Sequence, residues 1–458
     1  MEPPASCFDW MKEMDMTAPA KQISKRNCAS APDMILKHQR VVPYMAVILI
    51  FGLTGLVLGN SGTWTQWRGP QRNGTLQTSP WPDELDETHL KLAWRNEIGP
   101  GYSGPIVSEN RVFTVETEDK KREIVRAFDR TTGEQMWETA WKGAMKVPFF
   151  AARNGSWVRS TPTYDGEHLY VAGMRDVLTC LAAQDGSVKW RVDFVERFGT
   201  PVPDFGLVCS PLIADGAVYI QAGGGLVKLD KTTGKVQWRS LKDGGGMYGS
   251  AFSSPILHKL GGVSQLLVQT RNALAGVAPG TGDVLWQQPI RAFRGMNILT
   301  PVASGNTIFT SSYGGYSLLY DCEYKDDVFT LSEMWRDKKS QGYMSTPLVI
   351  DGHIYLLRRD RRFCCIDPDA REILWVSKSK FGQYWSLAAN GTRILALDQK
   401  GELLLIDANP ETFKLLDRRK IAKQETWAHV AVAGDQVFVR ELKAIAAYRW
   451  REPDVAAY

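Results

Sequence analysis

One pattern recurs along this chain, and it restricts the available folds more than any other feature. Each copy opens with a small residue and a proline. An apolar run follows, then a turn with glycine, two further apolar runs, an Asp-x-x-x-Gly turn and a tryptophan. Residues 210–238, SPLIADGAVYIQAGGGLVKLDKTTGKVQW, carry it in full, and 160–190, STPTYDGEHLYVAGMRDVLTCLAAQDGSVKW, match it almost step for step. Further copies lie at 103–137, 253–286 and 345–375, and one opening at 299–320 reaches Trp335 through a longer excursion. Two degenerate copies follow: 386–416 lacks the final tryptophan, and 429–450 ends after three strands. The opening positions are Pro105, Pro162, Pro211, Pro255, Pro301 and Pro347, with Ser386 and His429 as equivalents. They recur at about 45 residues, the length of one four-stranded propeller blade.

The strand chemistry agrees. AVYIQ (217–221) and HIYLL (353–357) are β-branched and aromatic, bounded by glycine and aspartate. Asp-Gly and Asn-Gly pairs at 165–166, 215–216, 351–352 and 390–391 are tight hairpin turns. Gly133 and Gly234 end short Asp-x-x-x-Gly loops and Gly186 and Gly282 the equivalent loops of their copies, where positive φ is needed. The tryptophans Trp94, Trp137, Trp190, Trp238, Trp286, Trp335, Trp375 and Trp450 are predicted to dock neighbouring blades, each burying a broad apolar face. The last copy is one strand short, and a spare strand, LKLAWRNEI (90–98), precedes the first. Pairing the two completes an eighth blade from both chain ends and removes an open sheet edge. The expected fold is all-β: an eight-bladed propeller of four-stranded antiparallel blades over 90–450, closed by the N-terminal strand.

Residues 41–59, VVPYMAVILIFGLTGLVLG, are apolar, follow KHQR and precede GNSG. This is the h-region of a signal peptide read from Met34, or an uncleaved membrane anchor; both export residue 60 onward. Residues 1–40 read as an N-terminal extension, 60–89 as a leader and 451–458 as a tail. The formal net charge of +5 is spread along the chain and leaves no footprint for nucleic acid. The six histidines are too scattered for metal-ligand spacing, and no metal site is expected. Five cysteines fall after residue 60, an odd number at irregular spacing and so no disulfide framework. The adjacent pair Cys364 and Cys365 aligns with a third strand, where neighbours face opposite sides, so two reduced thiols are expected.

Copies of A-x-D-x-x-T-G-x-x-x-W, as in AFDRTTGEQMW (127–137), resemble the tryptophan-docking repeat of pyrroloquinoline-quinone (PQQ) propellers. WTQWRGPQRNG (64–74) resembles the leader of exported bacterial propellers of this class. The resemblance covers about 64–450. It implies the fold, and it implies three activities that share it: the propeller lipoprotein of the outer-membrane β-barrel assembly machine, quinoprotein dehydrogenases, and sensor domains of bacterial Ser/Thr kinases. The dehydrogenases hold PQQ with calcium, using inserted ligands and a catalytic aspartate that this chain lacks.

The loops entering each innermost strand gather on one face of a propeller. Here they are aromatic: Tyr102, Trp157, Phe205, Tyr248, Tyr343, Tyr384, Trp385 and Trp427. The longest connections add Phe149, Phe150, Arg153, Arg159 and Phe198, and RAFRGMN (291–297) adds Phe293 and Arg294. Aromatic rings with arginine are the chemistry of binding hot spots. The same rings could instead cap the narrow core. No nucleophile–base pair or paired carboxylates stand out on these loops, so no catalytic residues are assigned. The expected role is a non-catalytic scaffold in the bacterial cell envelope, binding an exported or outer-membrane protein or peptide. It uses no cofactor, and it meets the membrane only through 41–59 if that segment is retained. The alternatives are a PQQ-dependent alcohol or sugar dehydrogenase and a sensor propeller.

Overall fold

The computed structural model describes residues 62–450; the expectations for 1–40, 41–59 and 451–458 fall outside them. Among the described residues no helix is long and apolar enough to cross a membrane. Eight sheets follow one another, each built around four antiparallel strands. Blades one to seven begin with the innermost strands Ile106–Val107, Thr163–Tyr164, Leu212–Ala214, Ile256–Leu260, Val302–Ser304, Leu348–Ile350 and Trp385–Asn390. Blade eight joins Ala431–Ala433, Gln436–Glu441 and Ala444–Trp450 to the N-terminal strand Leu90–Glu97, which pairs antiparallel from Leu90 opposite Trp450 to Glu97 opposite Ala444. The ring is thus closed by both ends of the propeller segment.

The outer seams show why the repeat keeps a tryptophan and a glycine. Asp230 caps the turn of blade three by accepting from the backbone N–H groups of Thr232 and Thr233. Gly234 then takes φ of 71°, and a Cβ there would lie 2.7 Å from the indole of Trp190. Only glycine lets that ring lie flat, and its Nε1 donates to the Lys231 carbonyl at 3.0 Å. Trp94, Trp137 and Trp238 repeat the arrangement on Gly133, Gly186 and Gly282, donating to the carbonyls of Arg130, Ala183 and Pro279. Trp375 donates to Asn409 of blade seven at 2.9 Å.

Three tryptophans depart from this scheme. Blade five ends in a long hairpin, Ser317–Lys325 with Val328–Asp337, and offers no Asp-x-x-x-Gly turn. Trp286 therefore donates within its own blade, to Gln265 Oε1 at 2.6 Å. Trp335 packs half-buried on the core between blades five and six, whose turn carries Arg371, not glycine, at positive φ. Trp450 sits on the third strand of blade eight, because Trp94 occupies the outer one, and it stacks on Trp81 of the leader at 5.9 Å.

Cys364 and Cys365 are both buried and unbridged. They face opposite sides of their strand: Cys364 enters the core between blades five and six, and Cys365 the core between six and seven. Burial pushes the Cys365 thiol up to about 11 and Cys364 higher still, so neither is a thiolate at neutral pH.

Candidate functional site: a plugged funnel

The leader runs between the innermost strands. Trp64 exchanges backbone hydrogen bonds with Val107 of blade one, and the Thr65 carbonyl accepts from Tyr164 of blade two. Gln66 Oε1 accepts from Ile213 of blade three at 3.1 Å. Thr75–Leu76 adds a parallel strand inside blade seven, opposite Ala389 and Asn390. Two arginines fix the plug. Arg68, 1% exposed, donates Nη2 to the Pro347 carbonyl at 2.6 Å and to Asn73 at 2.7 Å. Arg72, 4% exposed, donates to the carbonyls of Pro211 and Ser210 at 2.7 and 3.1 Å. The two proline carbonyls that accept stand immediately before the innermost strands of blades six and three.

The Ser/Thr before the opening prolines of blades two to six also has a physical reason. Its hydroxyl accepts the main-chain N–H of the equivalent residue one blade earlier. Gly104 donates to Thr161 and Thr161 to Ser210, each at 3.0 Å. Ser210 donates to Ser254 at 2.9 Å, Ser254 to Thr300 at 3.1 Å, and Thr300 to Thr346 at 3.2 Å. This chain of hydroxyls stitches blades one to six around the throat.

Above the plug opens a funnel of about 230 Å³. Of the residues expected on this face, Tyr102, Arg159, Phe205, Tyr343, Tyr384 and Trp427 line it. Trp427 stacks on Tyr384 at 5.8 Å with a 17° interplanar angle. Arg159 lies 5.9 Å from the Tyr102 ring and donates to the carbonyls of Phe205 and Gly155. Trp157 is half-buried and serves the Tyr102 hydroxyl. Three residues sit on loops that reach the funnel but stand outside its lining: Phe149 is 90% exposed, Tyr248 66% and Phe293 44%. Arg294 is exposed, with its guanidinium 5.3 Å from the Phe293 ring. The side chains of Phe150 and Arg153 lie outside the described residues.

Two expected face residues are placed elsewhere. Trp385 is on the innermost strand of blade seven and points into the core. It lies 4.5 Å from Phe381 and donates Nε1–H to Asp398 Oδ2 at 2.8 Å. Phe198 belongs to the seam of blades two and three, stacked on Phe194 and capped by Arg239 at 4.4 Å. The reason is local: Phe198 closes a short helix, Phe194–Phe198, whose apolar side is drawn into that seam.

Sequence reasoning missed Trp67, Phe252, Met344 and His429 as lining. The aromatic leader and the recurring Ser/Thr-Pro register were the available signals. Trp67 stands on the plug with the Arg68 and Arg72 guanidiniums 5.7 and 5.5 Å from its ring. His429 Nδ1 must carry the proton it gives to the Val430 carbonyl at 2.8 Å. Burial and then Arg68 push its pKa down to about 3, leaving it neutral. Desolvation lowers Arg68 to about 9 and Arg72 to about 10, and both stay cationic at neutral pH. The lining contains no aspartate or glutamate. Among the described residues one group, Glu84, Asp86 and His89, has metal-ligand proximity, and it lies on the leader, outside the funnel lining.

This geometry defines an eight-bladed propeller with a plugged channel and an aromatic funnel. A family profile described as outer membrane protein assembly factor BamB matches residues 120–377 and 323–456, and the chain belongs to this family of PQQ-type propellers. It is 24% identical over 313 residues to the outer membrane protein assembly factor BamB of Yersinia pestis, covering 65% of this chain and 73% of that protein. The crystal structure of BamB from Moraxella catarrhalis aligns with a TM-score of 0.54 at 13% identity, over 80% of this chain and 98% of that one. A europium-containing methanol dehydrogenase aligns at 0.51 and 11% identity, over 85% and 98%; both structural likenesses concern the fold alone. The PQQ-with-calcium site of the dehydrogenase branch does not fit here. Calcium takes six to eight oxygens, usually including carboxylates, and the funnel lining includes no carboxylate. The adjacent cysteines lie buried in blade six, outside the funnel lining.

Proposed function

We propose that this chain is a non-catalytic scaffold of the cell envelope that binds an exported or outer-membrane protein or peptide through its funnel face. The observation that carries this reading is the funnel itself: aromatic walls, an arginine, no carboxylate lining, and exposed rings at Phe149, Tyr248 and Phe293 around it. Large rings with arginine supply contact area at low entropic cost, and hot spots are built from them. The relatives described as assembly factors support the same class of role.

The test is crosslinking capture from an envelope extract with full-length protein. Phe149→Ala combined with Phe150→Ala is expected to abolish recovery of the partner while the melting temperature stays unchanged. Recovery equal to that of the parent chain would overturn the docking reading. Titration with PQQ and calcium, followed by tryptophan fluorescence, is expected to show no saturable quenching; quenching accompanied by dye-linked alcohol oxidation would replace the scaffold with an oxidoreductase.

A further inference from the structure

The throat holds more positive charge and more hydrogen-bond donors than its own atoms can satisfy. Arg68 and Arg72 are buried side by side at the base of the funnel. No carboxylate pairs with either among the described residues, and carboxylates contribute to neither environment. Nε and Nη1 of Arg68 and Nε of Arg72 have no hydrogen-bond partner among the described residues. Buried cations are ordinarily paired, because an unpaired one carries a large desolvation cost. The fold has brought two together, and among the described residues neither has a counterion.

Their surroundings connect them to the cavity. Arg68 packs on Trp67 and acts electrostatically on Tyr384 and His429, and all three line the funnel. Thr161, Ser210 and Thr346 line it as well. Each uses its hydroxyl oxygen to accept a main-chain N–H. None of the three hydroxyls donates a hydrogen bond among the described residues, so each has a proton to donate. Accepting a hydrogen bond polarises a hydroxyl and makes it the better donor. The neutral His429 adds no opposing charge. Immediately above, Trp427, Tyr384, Tyr343, Phe205 and Phe252 form an apolar wall.

We propose that the throat is an anion subsite that takes a carboxylate carried on an aromatic or large apolar body, with the body held by the funnel walls and the carboxylate directed at the hydroxyls and the two buried guanidiniums. Low-dielectric walls concentrate the field of Arg68 and Arg72 upward into the cavity. Two sources have this chemistry: a small free acid, and the C-terminus of a peptide ending in an aromatic residue. The proposal deepens the reading of this face as a binding face and rests on it for the direction of approach.

The experiment titrates the full chain with N-acetyl-phenylalanine and with its amide by calorimetry. A second pair is a pentapeptide ending in phenylalanine, as free acid and as amide. The acids are expected to saturate, and the amides to bind at least tenfold more weakly, about 1.4 kcal/mol. Binding of the small acid alone assigns a metabolite, and binding of both acids assigns a chain end. Acid and amide binding alike, or no saturation by either acid up to about 5 mM, a limit of roughly 3 kcal/mol, overturns the subsite. Arg68→Met should weaken acid binding about tenfold and leave amide binding unchanged. Should that variant not fold, the acid–amide comparison on the parent chain decides the matter alone. Loss of partner capture with acid binding intact removes only the docking reading, and capture with indifference to the carboxylate removes only this one.

Discussion

From blade one to blade four each seam is held at two radii, and the two differ in kind. At the outer radius, Trp190 lies on Gly234 and Trp137 on Gly186, the same contact repeated in register. At the inner radius, hydroxyls pass hydrogen bonds from blade to blade, and a single non-repeating leader fills the throat. The outer contact is local, an indole face on a glycine with one hydrogen bond, so each copy needs only its neighbour. The inner one is polar and collective: Arg68 ties the leader to blade six, and Arg72 ties it to blade three. The outer radius makes the ring stable, and the inner radius makes it individual.

Substitutions can break that contrast. Trp190→Ala is expected to cost about 3–5 kcal/mol, as for a large core aromatic, whereas Trp335→Ala, at a seam without a docking glycine, should cost about half as much. Urea unfolding of both measures the difference, and equal losses would show that the glycine dock adds nothing.

A second test lies at the funnel end of the seam between blades two and three. Asp176 of blade two accepts from the Gly223 N–H of blade three at 2.8 Å. Desolvation raises its pKa from 3.8 to about 7, with Asp193 and Asp243 adding to the rise and Arg239 opposing it. The folded-state value is the higher one. Between about 4 and 7 the unfolded chain therefore loses this proton first, and stability falls as pH rises through that window. Asp176→Asn should abolish this loss, giving a higher melting temperature than the parent at pH 8 and no advantage at pH 4. The same difference at both values would refute the assignment.

The smallest effect is expected at the inner ring. Thr161→Val leaves the buried Gly104 N–H without an acceptor, at a cost of about 1–2 kcal/mol, and Thr161→Ser should restore most of it. Calorimetric melting of the pair checks this.

The repeat made the blade number, the strand order and the closure by Leu90–Glu97 legible, because each rests on local turn chemistry and a period. Trp286, Trp335 and Trp450 look like the other tryptophans in sequence. Their different roles depend on what the adjacent blade presents, and that is a long hairpin, a non-glycine turn or the leader. The funnel was legible in part. Tyr102, Tyr343 and Trp427 could be placed by their distance from a blade's opening residue, whereas Trp385, next to Tyr384, faces the core because strand neighbours point to opposite sides.

By itself the sequence determined the all-β ring, through period, glycine turns and recurring indoles, all of which act over short stretches of chain. Only the tertiary structure decided that Trp67, Arg68 and Arg72 of the leader would stand beneath Tyr384 and His429, some three hundred residues away. The reason is that a throat is made by every blade at once. Its charge and shape are set by closing the ring around the leader, and no single repeat carries that information.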